Sequence, residues 1–194
     1  MANLSTLIDK INDAMLRAEK AGAILPNGMS LATVTPDGRP SVRVVLLKDA
    51  DPGGFVFYTN LGSRKAKELD ENPRACLNFW WEALQEQTCI EGSVEKVSDA
   101  EADEYFASRP RRSQIGAWAS KQSEELSSRS ELMAAFERFE TEYEGREIPR
   151  PEFWSGYRVK PERIEFWYGS EDRLHKRLEY TLEDGAWVER LLYP

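Results

Sequence analysis

The first part of the chain has apolar side chains at helical spacing. They recur every three or four positions, at Leu4, Leu7, Ile8, Ile11, Met15 and Ala18. This spacing predicts an amphipathic helix within residues 1–25. From Met29 the pattern changes to short apolar or alternating runs, separated by turn sequences such as PDG and DPGG. Such runs are typical of strands joined by tight turns, so residues 29–97 are predicted to form an antiparallel meander.

Helical patterns dominate residues 98–145. Two serines, Ser98 and Ser128, each precede a glutamate by three positions, which is the capping box that opens a helix. Residues 150–194 return to strand patterns. In total the patterns predict about seven strands and four helices in a single domain over residues 1–194. We therefore expect a mainly β (α+β) fold, in which helices surround an antiparallel barrel.

Composition limits the classes of function. The 194 residues carry a formal net charge of -8, whereas a nucleic-acid-binding protein normally presents a basic face. One His and two Cys do not suffice for a zinc site, and we expect Cys76 and Cys89 to be reduced structural thiols. No signal peptide is evident, and no run approaches the roughly 20 apolar residues of a membrane helix. We expect a cytoplasmic protein that binds neither nucleic acid, metal nor membrane.

The stretch YFASRPRRS, residues 105–113, is unusual in so acidic a chain. Tyr105 and Arg109 share one face near the end of a predicted helix, and Ser113 follows where a new helical segment could start. A phenol, a guanidinium and a hydroxyl beside a helix start are good ligands for phosphate. Taken alone, however, such a stretch is more often an exposed basic turn.

Two other stretches place cations at unexpected positions. Arg64 and Lys65 lie in the first turn of a predicted helix, where the helix dipole disfavours positive charge. A bound anion would explain them, although ordinary surface charges are the commoner case. Arg43 and Lys48 lie on an otherwise apolar strand, and their odd separation predicts opposite faces unless a bulge re-aims one of them. Solvent-exposed strand ends are the alternative there.

The stretch EDRLHKRLEY contains Arg173, His175 and Arg177 at alternate positions. If it forms a strand, all three side chains face the same way, either toward a ligand or toward solvent. Trp167, just upstream, is suited either to the core or to stacking on a flat ligand. Together with the cationic stretches, this pattern favours one or two flat, phosphorylated ligands.

These stretches resemble the pyridoxamine 5′-phosphate oxidase family, whose members bind FMN in a split β-barrel. The matching stretches, in order, are RVVLLK, VFYTNLGSRKAKEL, YFASRPRRSQIGAW, SKQS, IEFWYG, RLHKR and WVERLLYP. The resemblance implies oxidation of pyridoxamine and pyridoxine 5′-phosphates to pyridoxal 5′-phosphate by FMN and O2, with release of hydrogen peroxide and, from the amine, ammonia. It also implies a homodimer with FMN at the subunit interface.

The resemblance further assigns residues to ligands. Contacts with FMN are expected at Arg43, Val44, Val45, Leu46, Leu47, Lys48, Tyr58, Thr59, Arg64, Lys65, Gln87, Gln122, Ser123, Trp167 and Arg177. Contacts with the substrate phosphate are expected at Lys48, Tyr105, Arg109 and Ser113. Arg173 and His175 are expected near the pyridine ring, as substrate-binding residues and as the catalytic candidates. The alternatives are a related flavin oxidase acting on another aromatic, such as a phenazine precursor, and a non-catalytic protein that binds flavin or pyridoxal phosphate.

Overall fold

The computed structural model describes residues 3–194, which form five α-helices and nine β-strands. The helices are α1 (Leu4–Lys20), α2 (Arg64–Glu71), α3 (Asp99–Ser108), α4 (Arg111–Ala119) and α5 (Arg129–Glu142). The strands are β1 (Gly28–Val34), β2 (Pro40–Leu46), β3 (Asp49–Asp51), β4 (Gly54–Asn60), β5 (Arg74–Trp81), β6 (Glu86–Lys96), β7 (Trp154–Tyr168), β8 (Lys176–Glu183) and β9 (Ala186–Leu192). All strands belong to one antiparallel sheet with peripheral helices, which confirms the predicted fold class.

The long strand β7 organises the sheet. One of its edges pairs with β6, which continues through β5 and β1 to the edge strand β2. The other edge is shared by two strands, because residues 154–159 pair with β4 and residues 163–168 pair with β8. The sheet therefore divides along β7 into an arm of β4 and β3 and an arm of β8 and β9, the arrangement expected of a split barrel.

A β-bulge lies where β7 changes partners. The register of β6 against β7 shifts between Glu91 and Gly92, and Gly92 is placed opposite Pro161. A Cβ atom on Gly92 would lie 1.9 Å from the Lys160 carbonyl oxygen, a distance that no side chain permits. Only glycine allows this approach of the two backbones, and the bulge bends the sheet at this point.

The core lies between α1 and the inner face of the sheet. The apolar face predicted for α1 is buried at Leu7, Ile8 and Ile11. These residues pack in one cluster with strand residues such as Phe57 and Phe79. A second, smaller cluster holds the helices α3 and α4 against the start of β7. Among residues 3–194, no helix combines the length and the apolar character needed to span a membrane.

The structure departs from the predicted elements in the last third of the chain. The strand predicted from Arg173 begins only at Lys176, because residues Glu171–Arg173 form a 3-10 turn. Asp172 and Arg173 have φ angles of +57° and +60°, which are incompatible with an extended strand. The expectation that Arg173, His175 and Arg177 face one way from a strand is therefore wrong. In addition, β7 begins at Trp154 rather than at Arg163, and β3 lies in a predicted turn.

The bulge gives a prediction about stability. We expect Gly92→Ala to lower the free energy of unfolding by about 2–3 kcal/mol, because its methyl group must push β6 away from β7. Gly116→Ala is the matched control, since nothing lies within 4 Å of its added Cβ atom in α4. There alanine should be neutral or stabilising by up to about 1 kcal/mol. Urea unfolding at equal protein concentration measures both variants, and equal midpoints for the two would contradict this account of the bulge.

Candidate active site

A cavity of about 1170 Å³ opens between the strands β2 and β4 and the helices α2, α3 and α4. Five cationic side chains line it: Arg43, Lys48, Arg64, Lys65 and Arg109. Among the described residues, no carboxylate lines it. In a chain with a net charge of -8, this arrangement concentrates positive potential in one concave place. The cavity is therefore suited to anionic ligands.

The start of α2 forms one wall of the cavity, with Lys65 in its first turn as the sequence predicts. Lys65 is buried, and its Nζ donates to Thr59 Oγ1 at 3.1 Å, Ser63 Oγ at 3.2 Å and Gln122 Oε1 at 2.8 Å. Burial, together with the charge of Arg43, lowers the pKa of Lys65 to about 8. The three hydrogen-bond partners of this ammonium are neutral oxygens, so a bound anion would supply the counter-charge in direct contact that these partners do not.

The other two cations of this wall are held differently from Lys65. Arg43 on β2 donates from Nη2 to Glu68 Oε2 at 3.2 Å, and Arg64 donates from Nε to Glu68 Oε1 at 2.7 Å. Arg43 also donates from Nη1 to Thr33 Oγ1 at 2.5 Å. Both guanidinium groups are thus fixed by a carboxylate that lies behind the wall and does not itself line the cavity. We call Arg43, Arg64, Lys65 and Glu68 the α2 cluster.

Arg43 and Lys48 line the same cavity, although their odd separation predicted opposite faces. The reason is that β2 ends at Leu46, so Lys48 lies beyond the regular strand. The rule that successive side chains point to opposite faces of a strand therefore does not apply to Lys48. Val44, Val45 and Leu46 also line the cavity. Leu47 does not, because its side chain is buried in the main core.

Arg109 also lines the cavity and lies directly after the last residue of α3. Its guanidinium lies over the rings of Trp154, at 4.7 Å, and Phe106, at 5.5 Å. Its Nη1 is buried and, within residues 3–194, is the one buried side-chain nitrogen or oxygen without a hydrogen-bond partner. Burial lowers the pKa of Arg109, whereas the interaction with Tyr105 raises it to a smaller extent. Such a nitrogen is costly unless an acceptor enters the cavity.

Aromatic rings support this side of the cavity. The rings of Tyr58 and Tyr105 stack at 4.0 Å, and Tyr58 lies parallel to Trp154 at 5.3 Å. Lys48 Nζ lies 5.9 Å from the centre of the Tyr105 ring. Burial, with the nearby charge of Glu101, raises the pKa of Tyr58 to about 12, so its hydroxyl keeps its proton near neutral pH. The four predicted substrate-phosphate residues, Lys48, Tyr105, Arg109 and Ser113, all line this one cavity.

The remaining arginines of the YFASRPRRS stretch have structural partners. Arg111 donates to the backbone carbonyls of Tyr143 and Arg146, at the end of α5. Arg112 pairs with Glu140 at 3.1 Å and lies over an aromatic ring of the same helix. These two side chains tie α4 to α5, and Arg109 alone of the three lines the cavity.

A second group of predicted site residues lies elsewhere on the sheet. Gln87, Trp167 and Arg177 are direct cross-strand neighbours on β6, β7 and β8. Arg177 is held by Glu165, with distances of 2.7 and 3.1 Å from its Nε and Nη2. Of the described residues that line the cavity, none belongs to this row. We call Gln87, Trp167 and Arg177, with the adjacent His175 and Arg173, the strand-row cluster.

His175 and Arg173 lie in the connection between β7 and β8. The ring of His175 packs against Trp167 at 4.4 Å between centroids. Its Nδ1 accepts the backbone N–H of Ser170 at 3.2 Å, so the neutral ring holds its proton on Nε2. Arg173 is exposed, and its backbone is held in the left-handed region. A non-glycine residue in that conformation is often found at functional sites.

Some residues around the cavity were missed by the sequence analysis. Trp154 and Asn60 line the cavity, and Glu68 anchors two of its arginines. The sequence contains one signal for Glu68, namely its position four residues after Arg64 on a helix. Trp154 has no such signal, because its contact with Arg109 joins distant parts of the chain.

Comparison with known proteins agrees with this geometry. Residues 18–143 match the family model described as pyridoxamine 5′-phosphate oxidase, and residues 154–194 match the pyridoxine 5′-phosphate oxidase C-terminal dimerisation region. A Myxococcus xanthus (strain DK1622) protein named pyridoxine/pyridoxamine 5′-phosphate oxidase is 54% identical over 187 residues, covering 96% of this chain and 91% of that protein. A Rubrobacter xylanophilus protein of the same name is 55% identical over 177 residues, covering 91% and 82%.

Solved structures show the same likeness. PhzG from Burkholderia lata 383, crystallised with tetrahydrophenazine-1-carboxylic acid, is 34% identical with a TM-score of 0.91, covering 96% of this chain and 92% of that one. A pyridoxamine 5′-phosphate oxidase-related, FMN-binding protein from Nostoc punctiforme shares the fold, with a TM-score of 0.79 at 17% identity and 96% of each chain covered. The match at residues 154–194 supports a homodimer. From its family matches and its relatives, this chain belongs to the pyridoxamine 5′-phosphate oxidase family.

Proposed function

We propose that this protein oxidises pyridoxamine 5′-phosphate and pyridoxine 5′-phosphate to pyridoxal 5′-phosphate, with FMN as its cofactor and O2 as the electron acceptor. Hydrogen peroxide is the second product, and ammonia is released from the amine. The relatives named for these substrates support the proposal. The observation that carries it is the buried, unpartnered Nη1 of Arg109, a residue that lines a cavity of ligand size in which no described carboxylate is available to pair with it.

The α2 cluster fits the phosphate of FMN. Lys65 and the two arginines supply N–H donors from one helix start and one strand, and the hydrogen-bond partners of Lys65 are all neutral oxygens. Thr59 and Gln122 add polar groups at the same place. When bound, the flavin supplies the two-electron oxidation and the transfer of those electrons to O2. The protein supplies the position and the electrostatic environment.

The groups around Arg109 fit the phosphate of the substrate. Arg109 offers a charged N–H, and Tyr105, Ser113 and Lys48 line the same side of the cavity. None of these groups takes part in the redox step. Their role is to hold the substrate so that its reacting carbon has one position, which lowers the entropy cost of the reaction. Trp154 holds the guanidinium in place through its ring face.

The strand-row cluster fits a site shared between two chains. Because the cluster lies away from the cavity of its own chain, it completes a cavity only in a second copy. The edge strand β2 leaves Val42 and Val44 about two-thirds exposed beside the cavity, at 68% and 67%, as expected of a surface that a partner covers. In such a dimer, the Nε2–H of His175 and the guanidinium of Arg173 orient the pyridine ring and assist proton movement.

A peroxide assay tests the proposed function directly. The protein loaded with FMN should release hydrogen peroxide and pyridoxal 5′-phosphate when supplied with pyridoxine 5′-phosphate and O2. A flavin oxidase for a phenazine precursor, as the likeness to PhzG allows, would act on the tricyclic compound instead. A protein that binds flavin without catalysis would give neither product. Either result would overturn the proposal.

Removal of Arg109 should act on substrate binding. We expect Arg109→Ala to lower kcat/KM for pyridoxine 5′-phosphate by about 10- to 150-fold, the value of a charge-assisted hydrogen bond of about 1.5–3 kcal/mol. Activity on unphosphorylated pyridoxine should already be low in the wild type and should change little. Arg112→Ala is the matched control, because it removes a neighbouring guanidinium that is paired with Glu140 outside the cavity. Equal losses on both substrates, or loss of FMN, would show that Arg109 does not bind the phosphate.

A heterodimer tests whether the site is shared. Lys65→Ala damages the α2 cluster, and Arg177→Ala damages the strand-row cluster, so each homodimer should lose most activity. In a heterodimer purified through two different tags, one of the two sites combines two intact clusters. We expect about half of the wild-type activity per dimer. If each site were built within one chain, both chains would be damaged and the heterodimer would be as inactive as its parents.

The lowered pKa of Lys65 makes FMN binding depend on pH. Below pH 8 the free site already carries a protonated Lys65, so affinity should be constant. A bound phosphate favours the charged amine and raises its pKa. Above about pH 8, binding must therefore take up a proton, and the affinity should fall by up to about tenfold per pH unit. Titrations of FMN between pH 7 and 9.5 measure this, and Lys65→Met should bind weakly without the same dependence.

A further inference from the structure

Glu68 is a buried carboxylate directly behind the cationic wall. The residue is 4% exposed, and its side chain extends from α2 toward β1 and β2, where it contacts Thr33 and Ser41. Oε2 accepts hydrogen bonds from Ser41 Oγ, at 2.6 Å, and from Thr33 Oγ1. These two hydroxyls fix the carboxylate from the sheet side, so that it cannot swing toward the cavity.

The two oxygens of Glu68 join two arginines from different parts of the chain. Arg43 comes from β2 and binds Oε2, whereas Arg64 comes from the first turn of α2 and binds Oε1. Burial alone would raise the pKa of Glu68, but hydrogen bonds from Ser41, Thr33 and Arg64, with the charge of Arg43, lower it to about 2. The group is therefore ionised near neutral pH.

The charge of the α2 cluster also depends on Glu68. Three positive charges less one negative charge leave a net charge of +2. A phosphate monoester carries a charge of about -1.5 to -2 near pH 7. Without the carboxylate, three cations would face one another in a partly desolvated wall and repel. The guanidinium groups would then rotate apart unless an anion was already bound.

We propose that Glu68 is a positioning residue for the cofactor phosphate: it holds Arg43 and Arg64 in the orientation that receives the phosphate and matches the charge of the wall to it. This proposal rests on the proposed FMN site. It concerns a residue that does not line the cavity and does not touch the ligand. Its effect should therefore be confined to ligands that carry the phosphate.

The experiment compares FMN with riboflavin, which lacks only the phosphate. Glu68→Gln keeps the shape of the side chain but removes its charge and turns an amide N–H toward one arginine. The apoprotein is titrated with each flavin, and binding is followed by the quenching of flavin fluorescence. Glu71→Gln is the matched control, since it removes one negative charge from the exposed end of the same helix.

We expect Glu68→Gln to weaken FMN binding at least tenfold and to change riboflavin binding by less than twofold, whereas Glu71→Gln should match the wild type. The pH above which FMN affinity falls should also move downward, because Arg43 and Glu68 are the charged groups that act on Lys65, and Glu68 raises its pKa. A merely structural role would not move that pH.

Three results would overturn the proposal: unchanged FMN affinity, tighter FMN binding, or equal weakening of both flavins. If Glu68→Gln does not fold, Glu68→Asp serves as the test variant. Its shorter carboxylate keeps the charge but cannot reach both arginines. Glu68→Asp should likewise weaken FMN binding and leave riboflavin binding nearly unchanged. An FMN affinity of Glu68→Asp equal to that of the wild type would contradict the proposal. A wild-type protein that binds FMN no better than riboflavin would instead contradict the proposed function.

Discussion

The placement of like charges in one partly buried cavity is the constraint on which the rest of the site depends. Cations that lose water without gaining a partner are costly, and they repel one another. The structure meets this cost in two ways. On one side Glu68 joins Arg43 and Arg64 from behind the wall. On the other side Arg109 has no carboxylate, and the ring faces of Trp154 and Phe106 hold it. Both arrangements, the ion pairs with Glu68 and the aromatic contacts of Arg109, leave N–H donors free for an acceptor in the cavity.

The division of the sheet along β7 explains why the predicted site residues form two groups. One half of the outer edge of β7 pairs with β4, which carries Tyr58 and Thr59 into the cavity. The other half pairs with β8, which carries Arg177 beside Trp167. The strands β4 and β8, which carry members of the two groups, thus pair with different ends of β7. A two-fold assembly is the arrangement that brings such groups from two chains into one site.

Local signals in the sequence predicted part of this site. The start of α2, with Arg64 and Lys65 in its first turn, is observed as predicted. The prediction of a strand over Arg173 and His175 was wrong, because two consecutive residues there adopt positive φ angles. The alternation of residue types in the sequence does not reveal such angles. The role of Glu68 also lay beyond the sequence, since its burial depends on contacts with Thr33 of β1 and Ser41 of β2, which are distant in the chain. Packing between distant segments, rather than local propensity, thus determines the role of Glu68.

We expect the cavity to hold two phosphates, each on its own set of cations. A crystal structure of the protein with FMN and pyridoxal 5′-phosphate tests it most directly. The account predicts one phosphate within hydrogen-bond distance of Lys65 and the two arginines of the α2 cluster, and the other accepting from Arg109 Nη1. An Arg109 Nη1 that remains without a partner, or two phosphates on the same set of cations, would contradict it.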